Sequence, residues 1–164
     1  MEVISYLSLG ANLGNRMDNI EKALQNIEND CGEILDISPI YETEPLGFDS
    51  EDQFLNLCIK LKTKLTPKDL LTVTQEIERS IGREKKSNGN YSSRKIDIDI
   101  ITYGDLITES RDLTIPHLRY KERRFVLQPL NDIAKEFLDP CSGETIEHLL
   151  NICPDDSEIS IYKN

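Results

Sequence analysis

Several hallmarks of extracellular, membrane and metal–thiolate proteins are missing from this 164-residue chain. Its four cysteines, Cys31, Cys58, Cys141 and Cys153, lie far apart and form no C-x-x-C pair. That spacing argues against zinc or dithiol-redox use and points to reduced thiols in the cytoplasm. No apolar run approaches the roughly 18–20 residues that cross a bilayer. The opening Met1-Glu2-Val3-Ile4 has no basic region leading into a long apolar stretch, so no secretory signal is expected. Neither a G-x-x-x-x-G-K-[S/T] phosphate loop nor a G-x-G-x-x-G dinucleotide turn is present. The stretch Gly10-Ala11-Asn12-Leu13-Gly14-Asn15-Arg16 is read as turn geometry. Without internal repeats, low-complexity runs or linkers, residues 1–164 are expected to form one domain. Hydrophobic residues make up a modest 38%, but apolar runs recur along the length, as in a globular chain and not a disordered one.

Positive charge is also scarce. The net charge of −11 argues against a generic nucleic-acid or membrane-surface binder, and no obvious dimer surface shows, so a monomer is expected. The cations present are not spread evenly. Residues 79–95 hold Arg79, Arg83, Lys85, Lys86, Arg94 and Lys95 against Glu84, and residues 111–124 hold Arg111, Arg119, Lys121, Arg123 and Arg124 against Asp112 and Glu122. Either segment alone reads as a solvated basic loop. Both, flanking an acidic strand in an acidic protein, suggest an anionic ligand bound together with metal.

That strand is Arg94-Lys95-Ile96-Asp97-Ile98-Asp99-Ile100-Ile101. Strict alternation reads as a half-buried β-strand with its isoleucines inward. Asp97 and Asp99 then share the opposite face, about 6.5–7 Å apart. Two carboxylates so close repel unless a cation lies between them or one takes up a proton. Hard divalent ions such as magnesium favour this kind of oxygen donor beside phosphates. An ordinary amphipathic strand with a solvated acidic face is the competing reading.

In chain order, Val3–Leu9 reads as a buried strand closed by Gly10, and Met17, Ile20, Ala23, Leu24 and Ile27 as a helix ending near Cys31-Gly32. A second strand is expected from Ile34 to about Glu42, and a third over Phe54–Leu65, antiparallel to it across a loop punctuated by Pro45 and Gly47. Thr66-Pro67-Lys68-Asp69 is a helix start, and the helix carries Leu70, Leu71, Val73, Thr74, Ile77 and Ile81 inward and stops at Gly82. With the aspartate strand this gives β-α-β-β-α-β, an α+β ferredoxin-like plan. Both helices then cover one face, leaving the other for a site or further chain. A short strand near Leu106-Ile107, the segment Leu113–His117, a helical turn near Tyr120–Arg123, Phe125–Leu127, and short helices over Pro129–Ala134 and Glu144–Leu150 follow. The tail after Cys153 reads as a short strand or as disordered.

The segments Ser8–Gly14, Tyr41-Glu42-Thr43-Glu44-Pro45-Leu46-Gly47, Gly82-Arg83, Arg94–Ile100, Leu113-Thr114-Ile115-Pro116-His117 and Glu122–Leu130 resemble the 6-hydroxymethyl-7,8-dihydropterin pyrophosphokinases of folate biosynthesis. Each block is weak alone, but their order over residues 5–135 is specific. The resemblance implies transfer of pyrophosphate from ATP to the pterin hydroxymethyl oxygen, with release of AMP. It implies that Asp97 and Asp99 hold two magnesium ions and that Arg83 and Arg94 clamp phosphate oxygens. It assigns Thr43, Leu46, Phe54, Asn56 and Phe125 to the pterin, with Phe54 and Phe125 as its sandwich. To the nucleotide it assigns Gln75, Glu78, Lys85, Arg94, Ile100, Thr114, His117 and Arg123. Without the motif, His117 reads as a capping or packing residue, Glu78 as solvent-facing, and Phe54 and Phe125 as core.

The chain departs from the family pattern in places. Many members carry Arg-Trp-Gly-Pro-Arg before the metal strand, where this chain has Asn90-Tyr91-Ser92-Ser93-Arg94. Tyr91 then stands for the tryptophan, and Lys85 or Lys86 supplies a point charge in place of the missing arginine. The long, polar stretch 84–93 is expected to close over ATP. Two other classes remain to be weighed. A two-metal phosphodiesterase would use the same aspartates but needs more carboxylates or histidines. A non-catalytic ferredoxin-like binding module would need neither the aspartates nor the arginines.

Overall fold

The computed structural model describes residues 1–43, 53–82 and 95–163. Leu46, Arg83, Lys85, Lys86, Tyr91 and Arg94 therefore lie outside the described residues, as does the expectation for 84–93.

Alternation of apolar residues gives β1 (Val3–Ala11), which runs through Gly10 and does not stop before it. α1 (Arg16–Asp30) starts where the Asn15 side chain accepts from the Asp18 amide at 3.0 Å, and it buries Ile20, Ala23 and Ile27. The expected second strand is two pieces, β2 (Gly32–Ile37) and β3 (Tyr41–Thr43), separated by Ser38-Pro39-Ile40. A proline cannot donate to a strand ladder. Both pieces pair with the same partner, β4 (Phe54–Thr63), antiparallel as expected and two residues shorter than its pattern suggested.

α2 (Pro67–Ile81) has Pro67 in its first turn and Thr66 accepting from the Asp69 amide at 3.1 Å. It ends on Gly82 at φ 107°, a left-handed cap that glycine adopts without the Cβ penalty. β5 (Asp97–Tyr103) follows. The described sheet has the order β5-β1-β4-β3, with β2 beside the other end of β4, and every pairing is antiparallel. This is the ferredoxin-like arrangement that the sequence led one to expect.

The two sheet faces have different fates. Leu7, Leu9, Leu55, Leu57, Ile59, Leu61, Ile98 and Ile100 meet Ile20, Ala23 and Ile27 of α1 and Leu70 and Ile77 of α2. The opposite face carries Tyr6, Cys58 and Ile101, which pack under the later chain. That chain comprises β6 (Thr108–Glu109) paired with β7 (Thr114–Ile115), a 3₁₀ turn over Tyr120–Glu122, α3 (Arg124–Ala134) and α4 (Ile146–Asn151). β6 lies just past the expected Leu106-Ile107. Phe125–Leu127 and Pro129–Ala134 form one helix, α3. Pro129, the sixth residue of this helix, lies inside it and withholds the amide that would otherwise donate to the Phe125 carbonyl. The tail forms β8 (Ile159–Ile161), which pairs with β3 and extends the sheet to six strands. No helix among the described residues is long and apolar enough to cross a membrane.

Candidate active site

Asp97 and Asp99 stand on the sheet face that α1 and α2 leave uncovered. Ile98 and Ile100 are buried in the core between them and the helices, while both aspartates are half-buried on the other side. Register then brings in a second set of residues. Asp97 lies opposite Gly10, Gly10 opposite Asn56, and Asn56 opposite Tyr41. Cross-strand partners share a face, so one line of residues runs from the carboxylates of β5 to the carboxamide of β4. Two strand spacings separate Asp97 from Asn56, about 9.5 Å of backbone.

Gly10 keeps that line open. A Cβ added there would sit 2.8 Å from the Asn56 Oδ1, so only glycine lets the carboxamide lean across β1. Asn56 itself is 4% exposed, and its Nδ2 donates to Thr43 Oγ1 at 3.0 Å. That bond fixes which end of the amide points where. Thr43 is in turn paired with Phe54, which is buried at the start of β4 on the same face. Thr43, Phe54 and Asn56 are thus one cluster, in register with Asp97.

Glu78 is not solvent-facing. It is 2% exposed on α2, and its Oε2 accepts from the Ile98 amide at 2.8 Å. β5 is the edge strand, so this bond occupies an outer amide between the two aspartates. The pleat gives Ile100 the same outward-facing backbone. Its side chain is 4% exposed in the core, so any ligand contact at Ile100 is made by main chain alone. Gln75, one helical turn before Glu78, is exposed on α2.

Four further candidates come from the chain after β5. Thr114 lies in β7, followed by the cis Ile115–Pro116 peptide and His117. The His117 amide donates to Ile101 O at 2.8 Å, which ties it to β5. Its Nδ1 accepts from the Arg119 amide at 3.2 Å, leaving Nε2 as the proton-bearing nitrogen. Burial pushes the imidazole down from its ordinary 6.5 to about 4, helped by the positive charge of Arg123 and opposed by Asp97. His117 is therefore a neutral hydrogen-bond donor near pH 7, within electrostatic reach of both residues.

Arg123 precedes α3, with its guanidinium over the Phe125 ring at 5.7 Å. Its Nε is buried and has no hydrogen-bond partner among the described residues. A buried donor without an acceptor costs free energy unless a ligand supplies one. Phe125, half-buried in the first turn of α3, packs against the core that lies on the aspartate face.

Two links were not legible in the sequence, the Thr43–Asn56 hydrogen bond and the Glu78–Ile98 one. Both join residues far apart in the chain, and only strand register or helix docking brings them together. The glycine in Ser8-Leu9-Gly10 was visible but was read as a strand end. Among the described residues no three metal-ligating side chains gather. A pair of carboxylates with no thiolate or imidazole fits a hard cation that completes its shell with phosphate oxygens and water.

The fold is a ferredoxin-like sheet that carries a carboxylate pair and an oriented carboxamide on one face. Residues 6–135 match the model of the 7,8-dihydro-6-hydroxymethylpterin-pyrophosphokinase family. The chain is 45% identical over 133 residues to the 2-amino-4-hydroxy-6-hydroxymethyldihydropteridine pyrophosphokinase of Porphyromonas gingivalis, covering 80% of this chain and 90% of that one. It is 39% identical over 152 residues to a folic acid synthesis protein of Schizosaccharomyces pombe, covering 92% of this chain but only 20% of that longer protein. A crystal structure of the Plasmodium falciparum HPPK-DHPS wild type with STZ-DHP superposes with a TM-score of 0.73 at 19% identity, covering 92% of this chain and 43% of that one, a likeness that shows the fold. The chain belongs to the 7,8-dihydro-6-hydroxymethylpterin-pyrophosphokinase family and is an ATP-dependent pyrophosphokinase of folate biosynthesis. Neither a phosphodiesterase nor a non-catalytic module fits that membership.

Proposed function

We propose that this chain transfers the terminal pyrophosphate of ATP to the hydroxymethyl oxygen of 6-hydroxymethyl-7,8-dihydropterin, releasing AMP, and that the line Asp97–Gly10–Asn56 is the axis of the reaction. The observation that supports this reading is the register, which brings the Asp97 and Asp99 carboxylates and the Asn56 carboxamide held by Thr43 to the same sheet face, the one opposite α1 and α2.

Phosphoryl transfer asks little covalent chemistry of a protein and depends on positioning and charge neutralisation. At the pterin end, Asn56 reads the hydrogen-bonding edge of the ring with an amide already oriented by Thr43. Phe54 and Phe125 offer aromatic faces to the flat ring, and Leu46 belongs to the same set. At the nucleotide end, neutral His117 donates through Nε2, Arg123 finds the acceptor its Nε lacks, and Ile100 presents main chain on the outer edge of β5. Gln75, Glu78, Lys85 and Thr114 complete the nucleotide set, and Arg83 and Arg94 grip phosphate oxygens with forked hydrogen bonds. Asp97 and Asp99 would hold two magnesium ions on the triphosphate, which supply charge neutralisation and lower the pKa of the attacking hydroxyl.

The protein acts as a cytoplasmic monomer in this reading. Cys31 and Cys58 are buried free thiols, and free thiols suit a reducing compartment.

The test is AMP formation from ATP with and without the pterin, in the natural chain and in Asp97→Ala. AMP formed only with pterin, and lost in the variant, is expected. AMP release indifferent to pterin overturns the assignment.

A further inference from the structure

Arg16 opens α1 on the sheet face away from the aspartates and contacts three separate segments. Its Nη1 donates to Glu42 Oε2 at 2.9 Å and to Gln53 O at 2.7 Å. Its guanidinium carbon lies 5.6 Å from the centre of the Tyr162 ring. Glu42 directly precedes Thr43, and Gln53 directly precedes Phe54. Thr43 and Phe54 are themselves cross-strand partners, and Thr43 orients Asn56. One side chain thus ties together the end of the β3–β4 ladder, from behind the sheet.

Tyr162 belongs to the tail beyond residue 135, where the family match stops. The tail grips the same end of the sheet in two further ways. β8 pairs with all three residues of β3, Thr43 opposite Ile159, and the Tyr162 amide donates to Ile40 O at 2.7 Å. Asp155 accepts from the Arg124 amide at 3.0 Å, at the first turn of the helix that carries Phe125.

We propose that Arg16, seated against Tyr162 of the C-terminal strand, is a positioning residue for the pterin half-site. It touches no substrate. It holds Thr43 and Phe54 in register so that Asn56 meets the ring edge without first paying to order them. This rests on the assignment of Thr43, Phe54 and Asn56 to the pterin, and the experiment separates the two ideas.

Calorimetric pterin affinity, KM for each substrate and Tm are measured on full-length Arg16→Ala, Arg16→Lys, Tyr162→Ala and Asn56→Ala. Loss of two charge-assisted hydrogen bonds in Arg16→Ala is expected to raise KM for pterin about tenfold, with KM for ATP and kcat little changed. Lysine can donate to both oxygens but cannot stack in the same way, so Arg16→Lys should recover most of the affinity, to within about two- to fivefold of the natural chain, and Tyr162→Ala should lose a similar amount. Arg16→Ala with pterin affinity unchanged, while Asn56→Ala loses it, overturns the role of Arg16 alone. Equal losses for pterin and ATP alongside a lower Tm also overturn it, since they show general destabilisation. Unchanged pterin affinity in Asn56→Ala overturns the half-site assignment itself. Should Arg16→Ala fail to fold, the Lys and Tyr162 variants decide the matter by the same split between the two KM values.

Discussion

Glu78 Oε2 accepts a 2.8 Å hydrogen bond from the Ile98 amide, the one peptide N–H that lies between Asp97 and Asp99 on the outer edge of their strand. A helix on one side of the sheet thereby pins the strand that carries a carboxylate pair on the other. Edge strands ordinarily leave such amides to water. Here the amide is paired by a side chain that is itself 2% exposed, so the strand is held against fraying where the proposed metal ligands begin.

Removing that acceptor should therefore act on both stability and metal use. Glu78→Ala strands the Ile98 amide at the edge of the core, and about 1–3 kcal/mol of stability is expected to go with it. Glu78→Gln keeps an oxygen in place and should lose less. Chemical denaturation gives the stability, and a magnesium titration of the initial rate gives the functional consequence. An unchanged magnesium midpoint in Glu78→Ala would separate strand anchoring from metal binding.

Gly10 makes a second prediction. A methyl group at this position meets Asn56 Oδ1 at 2.8 Å, with Leu55 O next at 3.8 Å. Gly10→Ala should cost about 1–3 kcal/mol, the range for an overpacked site, and should weaken pterin binding more than ATP binding. Shortening Asn56 to Ala removes the clash, so Gly10→Ala combined with Asn56→Ala should be less unstable than the sum of the single variants. Strict additivity would show that the carboxamide has room elsewhere.

The orientation of Asn56 can be tested without touching it. Thr43→Val is nearly isosteric and deletes only the Oγ1 acceptor that holds Nδ2. A loss of about 1 kcal/mol in pterin affinity, severalfold in KM, is expected. Kinetics at saturating ATP report it directly.

His117 sets a pH limit. Its folded pKa lies near 4, below the ordinary 6.5, because burial and Arg123 disfavour the cation. Protonation therefore favours the unfolded chain. The stability contributed by neutral His117 is fully present above about pH 6.5 and is lost as pH falls towards 4. The chain has only two histidines, so NMR titration of His148→Gln follows a single imidazole, expected to titrate near 4. A midpoint near 6.5 would mean that the ring is solvated and uncoupled from Arg123.

A last prediction concerns the far end of the second core. Asp139 is fully buried and receives the Tyr120 hydroxyl, the Ser142 amide at 2.8 Å and the Lys121 ammonium at 2.8 Å. Burial alone would push its carboxyl up, and these donors more than offset that, so it titrates below the ordinary carboxylate range. Its contribution to stability is present above the unfolded carboxylate's pKa and is lost as pH falls through the lower folded value. Asp139→Asn should cost about 1–3 kcal/mol, since Lys121 stays partly hydrated and is not stranded in the core. Denaturation of the variant at neutral pH measures it.

The ferredoxin-like plan could be read from local pattern. Alternation in Ile96–Ile100 marks a strand whatever its neighbours do, and Thr66-Pro67 with Gly82 marks the two ends of α2 because capping is a matter of a few adjacent residues. Where local signals conflict with pairing, the pattern misled. Ile34–Glu42 alternates as one strand yet breaks at Pro39, and Gly10 looks like a stop yet lies inside β1, since partners on both sides supply its hydrogen bonds.

The sequence by itself placed Asp97 and Asp99 on one face and named the pterin and nucleotide candidates by resemblance. It could not say that Asn56 and Asp97 lie on one line with Gly10 between them, that Ile100 turns its side chain away, that Glu78 is buried under β5, or that the tail adds a strand beside Thr43. Those relations join residues up to about a hundred and twenty positions apart. Periodicity speaks only of a residue's own element. Strand order, register and the docking of α2 and α3 are settled by the simultaneous burial of two cores, and that burial exists only in the folded chain.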